Sequence, residues 1–313
     1  MKKALVLGAT GSIGSAVVYE LVNRGVEVTA FARSGDQLNK LFGNQPVKIT
    51  IGDVFQQDDV EKAAEGVDVV FHAINIPYPE WQEKQPILLT NILEAVKRTG
   101  TKLVMIDNIY AYGRSYGVPV TEEVKKKPHT KKGKIRLQLE QMAKQSRVPL
   151  LITHLPDFYG PNAGSTLLNY TFQAMIQNKK ARYIGNQMLA REFIYTPDGA
   201  KAIVELAFQN RFDGESWNIP GAGTITGTDI IKIAKQVTGY NKKVSTVSKN
   251  MIRFIGVFDS FMREYVEMYY LNEEPVVLNG DKYEREIGPA PRTPYEEGIK
   301  QTLLSIKNNS LTS

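Results

Sequence analysis

Residues Ala4 to Gly14, reading Ala-Leu-Val-Leu-Gly-Ala-Thr-Gly-Ser-Ile-Gly, leave this chain few folds to choose from. The first four are apolar, as in a strand buried on both faces. Glycines follow at 8, 11 and 14, and a helical pattern of Ala16, Val17, Leu21 and Val22 comes next. Gly8 permits a tight strand-to-helix turn. Gly11 lets backbone approach a pyrophosphate, and Gly14 lets the helix lie close on the strand. Thr10, Ser12 and Ile13 complete the turn, and the free N–H groups of the new helix face the anion. A second apolar run, Val26 to Ala32, follows Arg24-Gly25 and closes a βαβ unit. A strand before and a helix after distinguish a dinucleotide-binding turn from a chance spacing of glycines.

The alternation continues. The pattern predicts a short helix over Leu38–Leu41, a strand over Val47–Ile51, a helix over Val60–Glu65 and a strand over Val67–Ala73. A long helix follows over Gln85–Arg98, then a strand over Lys102–Ile106, a helix over Lys134–Ser146 and a strand over Leu150–Leu155. Such alternation predicts an α/β fold with a doubly wound parallel sheet, here over residues 1–155. From residue 156 to 313 the chain becomes loopier and predicts a smaller, mostly helical substrate domain, with Phe193–Ala207 returning to the main sheet. Substrate is expected between the two parts. Met251–Leu271 reads as an amphipathic, core-facing helix, and the polar tail Asn308–Ser313 as frayed.

Composition excludes several classes. With no cysteine there is no disulfide framework and no thiolate ligand or nucleophile, and three histidines without HExxH argue against a zinc enzyme. No metal site is expected. Met1-Lys2-Lys3 runs straight into the first strand, leaving no room for a signal peptide, and no stretch reads as a membrane span. The setting is read as cytoplasmic. The net charge of +6 includes a cluster of Lys125–Lys127, Lys131, Lys132, Lys134 and Arg136. No nucleic-acid module or interleaved aromatics accompany it. It reads either as a solvated face or as a site for an anionic cofactor or substrate.

The end of the second strand bears on which dinucleotide binds. NAD-preferring folds place Asp or Glu there to hold the ribose hydroxyls. This chain has Ala32-Arg33-Ser34, and Arg33 can pair with a 2′-phosphate, so NADP is favoured over NAD. Asp53 and Val54 are placed to bracket the adenine, and Ala73, Ile74 and Asn75 to pass beside the ribose and pyrophosphate.

The chain resembles the short-chain dehydrogenase/reductase superfamily in its extended form, related to the NAD-dependent epimerase/dehydratases. The glycine turn, Tyr112-Gly113 with Thr121-Glu122-Glu123, and His154 to Pro161 each match a family landmark. So do Arg191 to Asp198 (near "RDFVYVDD"), Trp217 to Pro220, and Asp281 to Gly298. The resemblance implies a Ser or Thr followed by Tyr-x-x-x-Lys as the catalytic set, and a homodimer. The chain departs from that set. Asn108 stands where Ser or Thr is expected, Lys132 where the tyrosine is, and Arg136 where the lysine is, with Glu140 four residues on. His154 takes the place of the family's arginine, while His72, inside an apolar strand, reads as a core histidine.

The candidate catalytic residues are therefore Asn108, Tyr112, Lys132 and Arg136, with Arg136 also a candidate for the cofactor ribose. Asp107 is placed to orient Lys132 or Arg136. Tyr78 and Trp81 read as an apolar wall of the substrate cleft, and Tyr110 and Tyr159 as further phenols near it; each is open to a purely structural reading. Two functions remain. One is an NAD(P)-dependent oxidoreductase or epimerase/dehydratase acting on a small carbonyl or hydroxyl compound. The other is a non-catalytic NADP-binding redox sensor or interaction protein.

Overall fold

The computed structural model describes residues 1–209 and 213–311. Six strands alternate with five helices in its first half. The strands are β1 (Lys3–Leu7), β2 (Glu27–Ala32), β3 (Val47–Ile51), β4 (Val69–His72), β5 (Lys102–Asn108) and β6 (Leu150–Leu155). Between them lie α1 (Ser12–Asn23), α2 (Gly35–Phe42), α3 (Gln57–Ala64), α4 (Trp81–Thr99) and α5 (Lys131–Gln145). The second half contains β7 (Asp157–Tyr159), α6 (Leu167–Ile176), β8 (Arg182–Ile184), β9 (Ala190–Tyr195), α7 (Thr196–Phe208) and β10 (Ser216–Asn218). Then come β11 (Thr224–Thr226), α8 (Gly227–Thr238), β12 (Ser245–Val247), α9 (Lys249–Ile255), α10 (Ser260–Tyr265), α11 (Asp281–Glu286) and α12 (Tyr295–Leu311).

The main sheet has seven strands in the order β10-β6-β5-β4-β1-β2-β3, all parallel. Its strands read as apolar runs because helices cover both faces. On one face α1 and α7 close over Val6, Phe71 and Val104; on the other α4 and α5 close over Leu5, Val70 and Met105. Each fully buried aliphatic side chain contributes about 1.5–3 kcal/mol, so these two layers supply most of what opposes chain entropy. Strand order reverses between β1 and β4, which opens a crevice at the strands' carboxyl ends.

Several boundaries move for identifiable reasons. Helix α5 starts at Lys131, not Lys134, because the Thr130 hydroxyl accepts the Gly133 N–H at 3.0 Å. Helix α4 starts at Trp81, ahead of the expected Gln85, and carries Pro86 within it. Phe193 does not return to the main sheet. Its strand β9 lies between β7 and β11 in a three-stranded sheet, while α7 packs on the main core and β10 forms the sheet's edge. The expected single helix over Met251–Leu271 is broken into α9, α10 and a 3₁₀ turn over Val266–Asn272. Asp259 is extended there and caps α10 by accepting the Met262 N–H. Part of that segment also faces outward, with Phe254, Val257 and Phe258 exposed by 71%, 66% and 82%. The tail expected to fray from Asn308 is helical to Leu311; residues 312–313 lie outside the described residues. Among the described residues, no helix is long and apolar enough to cross a membrane.

Candidate active site

The glycine turn is built as its spacing requires. Gly8 has φ +81°, and a Cβ there would lie 2.9 Å from the Ile74 nitrogen. A Cβ on Gly14 would lie 2.2 Å from the Gly8 carbonyl oxygen, so helix and strand meet only if residue 14 has no side chain. Helix α1 begins after Gly11 with no side-chain cap and no acid in its first turn, so its leading N–H groups are open to an anion. Gly11, Ser12 and Ile13 border a cleft of about 500 Å³, and Ala73 and Asn75 border it from the end of β4. Thr10 is half-buried in the turn. A dinucleotide fits this cradle: backbone donors face the crevice, Gly8 and Gly14 stand where a side chain has no room, and a Cβ on Gly11 would lie 3.2 Å from the Gly8 carbonyl oxygen.

The outer cofactor residues are placed as follows. Arg33 is exposed at the end of β2, and the next residue, Ser34, caps α2 by accepting the Gln37 N–H. Asp53 accepts the Phe55 N–H at 3.1 Å, while Val54 is buried and its carbonyl accepts from the Asn91 amide at 3.0 Å. Ile74 donates its N–H to His72 Nδ1 at 3.4 Å. Burial, helped by Arg136, lowers the His72 pKa to about 3, so this is a neutral core histidine.

Asn108 and Tyr110 line the cleft from the end of β5, and Tyr78 lines it from the loop after β4. The Asn108 side chain accepts the Tyr110 N–H at 2.9 Å and so caps the 3₁₀ turn Ile109–Tyr112. That turn aims Tyr110 at Tyr78, with the two phenol oxygens 2.7 Å apart. Tyr78 also stacks on Phe261 of α10, with ring centroids 5.0 Å apart and planes within 8°. Burial raises the pKa of both phenols above the ordinary tyrosine value.

The expected catalytic positions lie elsewhere. Lys132 is buried, and its ammonium is bound to Glu264 and, at 3.3 Å, to Glu267. It sits behind Tyr78, with Nζ 5.6 Å from that ring's centroid, and does not border the cleft. Arg136 is also buried. Its guanidinium lies 3.4 Å from Asp107 Oδ1, donates to Asn75 Oδ1 at 3.4 Å and covers the Trp81 ring at 4.4 Å. Of the two cations offered for Asp107, it is Arg136 that the carboxylate takes. The basic cluster of the sequence thus divides: Lys126, Lys132 and Arg136 point inward and are neutralised, while Lys125, Lys127, Lys131 and Lys134 are exposed.

Three of the aromatic candidates prove structural. Trp81 is fully buried and donates its indole N–H to the Ile76 carbonyl at 2.7 Å, so it anchors the loop rather than walling the cleft. Tyr159 is buried between Tyr195 and Tyr295 in a third apolar cluster with Phe172, Phe193 and Ile299. Tyr112 donates to Asn218 Oδ1 at 2.6 Å, and the Asn218 N–H donates to Glu122 at 2.8 Å. Three sequence landmarks, Tyr112, Glu122 and Asn218, are therefore tied in one hydrogen-bonded knot behind β5 and β6.

Sequence reasoning missed two features. Lys126 reaches in to Glu140, at 2.5 and 2.6 Å, and to His154 Nε2, at 2.8 Å. It supplies the cation that an arginine at position 154 would otherwise bring. Burial would raise the Glu140 pKa, but His154 and Lys126 together hold it down at about 2. Asp107, Glu140 and His154 come close enough to suggest a metal, yet the Lys126 ammonium already occupies their shared pole. The second feature is the wall contributed by Phe261, Tyr265, Met268 and Leu271, facing Asp157 and Arg191 across the cleft. Asp157 and Arg191 lie inside landmark segments, and aromatics four apart in Phe261-Met262-Arg263-Glu264-Tyr265 were a helical-face signal; Lys126 had none.

Comparison with known proteins agrees with this architecture. Human dTDP-D-glucose 4,6-dehydratase is 22% identical over 98% of this chain and 91% of its own length. A 4-hydroxy-2-methyl-3-oxo-4-farnesyl-3,4-dihydroquinoline-1-oxide ketoreductase of Stigmatella aurantiaca is 22% identical over 95% of this chain and 94% of its own. The structure of UDP-glucuronic acid 4-epimerase from Bacillus cereus in complex with NAD superposes with a TM-score of 0.80, at 21% identity over 98% and 99% of the two chains. Residues 4–220, from the first strand through β10, match the family model for the NAD dependent epimerase/dehydratase family. The chain belongs to that family.

Proposed function

We propose that this chain is a nicotinamide-dinucleotide-dependent reductase of small carbonyl compounds, with a preference for NADPH. The observation that carries this reading is the Tyr78–Tyr110 phenol pair. It is hydrogen-bonded at 2.7 Å and borders the same cleft as the glycine turn, while Lys132 and Arg136 are tied into ion pairs outside it. When bound, the dinucleotide supplies or accepts a hydride at its nicotinamide ring. Gly8 to Gly14 and the start of α1 would hold its pyrophosphate, and Asn75, which accepts from Arg136, borders the same cleft.

The phenols set the direction of chemistry. A tyrosine whose pKa is raised by burial stays protonated at neutral pH, so an O–H is present to hydrogen-bond a carbonyl oxygen, while a phenolate to act as a base is not. Carbonyl reduction needs a donor: one hydride and one proton add across C=O to give the alcohol. Tyr110 gives its proton to the carbonyl oxygen and is recharged through Tyr78, which is 9% exposed. Abstraction of a hydroxyl proton, with which oxidation-first epimerisation and dehydration begin, needs a base that this pair does not supply. One of the relatives described above is named a ketoreductase, in keeping with this direction. The NADPH preference rests on Arg33, exposed where an acid would hold the ribose of NAD.

The competing reading, a dinucleotide-binding protein without turnover, draws on the neutralisation of both Lys132 and Arg136. Titration with NADPH and NADH followed by fluorescence, then a carbonyl screen at the nicotinamide absorbance, decides between them. The reductase reading predicts tighter binding of NADPH and its oxidation by a ketone. Tight binding with no turnover across the screen favours the binding protein.

A further inference from the structure

We propose that the substrate is a neutral, largely apolar carbonyl compound and not a nucleotide-diphosphate conjugate; this rests on the reductase reading. Of the residues bordering the cleft, only Asp157 and Arg191 carry charge, and they are bound to each other. Arg191 also donates to Asn272 Oδ1 at 2.6 Å and is 6% exposed. The pair is neutral as a unit. A diphosphate entering here meets the Asp157 carboxylate and finds no unpaired cation, and burying unpaired anionic charge is costly.

The other walls agree. Leu168 and Phe193 face Phe261, Tyr265, Met268 and Leu271 across the space where substrate would lie. The preceding part of the same segment carries the exposed apolar side chains of Phe254, Val257 and Phe258. The chain's positive excess does not reach into this space, because the nearest buried ammonium, that of Lys132, is held by Glu264 and Glu267 behind Tyr78. The walls offer mainly apolar area, with Asn108, Ser165 and Thr166 as uncharged polar groups beside the Tyr78–Tyr110 hydroxyls that orient a single carbonyl.

Calorimetry with UDP and UDP-glucose, on the protein with and without NADPH, tests the exclusion. 4-Phenyl-2-butanone added to the NADPH complex, read by quenching of cofactor fluorescence, tests the preference. The wild-type protein is expected to bind UDP no more tightly than about 1 mM and the ketone saturably. Asp157→Asn removes the carboxylate and leaves Arg191 charged, so UDP binding should strengthen by at least about tenfold. Micromolar binding of UDP or UDP-glucose by the wild type overturns the proposal. So does a correctly folded Asp157→Asn protein, checked by its melting temperature, with no gain for UDP. If neither NADPH nor NADH binds, the reductase reading fails, while the UDP arm still reports separately on the charge of the cleft.

Discussion

The turn from β1 into α1 borders the cleft and the stretch from Lys126 to Glu140 lies outside it, and the two relate to their family in opposite ways. In the turn, Gly8 and Gly14 sit where a Cβ is not allowed and Gly11 where one would be tight, and the leading N–H groups of α1 are free of any side-chain cap. In the second stretch the family's tyrosine and lysine positions hold Lys132 and Arg136. Neither faces the cleft, because Glu264, Glu267 and Asp107 hold them. On the reductase reading, the cofactor half of the site is kept and the proton-handling half is rebuilt from Tyr78 and Tyr110. Backbone geometry has only one way to make the turn, whereas a phenol can be brought to a carbonyl from more than one loop.

The contrast is broken most severely at Gly14. Gly14→Ala places a methyl group 2.2 Å from the Gly8 carbonyl, and overpacking of this kind should cost about 3 kcal/mol, lowering the melting temperature by several degrees. Dinucleotide affinity should fall at least about a hundredfold in a fluorescence titration. A Gly14→Ala protein that binds NADPH normally contradicts the role given to the turn.

Acid should break the other half. Glu140 is held at about 2 against 4.5 for an ordinary glutamate, so its contribution to stability is complete above pH 4.5 and is lost as pH falls towards 2. That contribution is about 3 kcal/mol. Glu192 acts in the opposite sense. Burial pushes it up to about 7 despite N–H bonds from Leu278 and Gly221, so the folded chain takes up its proton before the unfolded chain does. Stability should therefore rise as pH falls from 7 to 4.5 and decline below that. Urea unfolding across this range should trace the peak, and Glu140→Gln should flatten its acid limb.

The smallest effect sharpens the cofactor half. Arg33→Ala should weaken NADPH binding about tenfold and leave NADH unchanged. Equal loss for both cofactors would remove Arg33 from the 2′-phosphate.

The balance between legible and hidden followed the range of the interactions. β6 over Leu150–Leu155 could be read to the residue because a strand buried on both faces advertises itself as an apolar run, and β3 over Val47–Ile51, a partly exposed edge strand, because of its β-branched Val47, Ile49, Thr50 and Ile51. The turn could be read because its constraint is local steric exclusion. The fates of Lys132 and Tyr112 could not, since each is decided by a partner far along the chain: Glu264 and Glu267 for Lys132, Asn218 for Tyr112. A basic cluster looks the same in sequence whether its members face solvent or distant carboxylates. The expectation of Lys132 and Arg136 in place of Tyr-x-x-x-Lys came from the resemblance; the meeting of Tyr78 and Tyr110 from separate loops was a matter of tertiary geometry.

The most direct test of the relocation is a pair of variants, Tyr110→Phe and Lys132→Met, assayed for NADPH oxidation with a ketone that the wild type reduces. The account predicts that Tyr110→Phe lowers kcat by about a hundredfold or more with the NADPH Kd unchanged, while Lys132→Met stays within a few-fold. The reverse pattern, with turnover lost at Lys132 and kept at Tyr110, would return the chemistry to the family's usual position and contradict the claim that the phenol pair has taken it over.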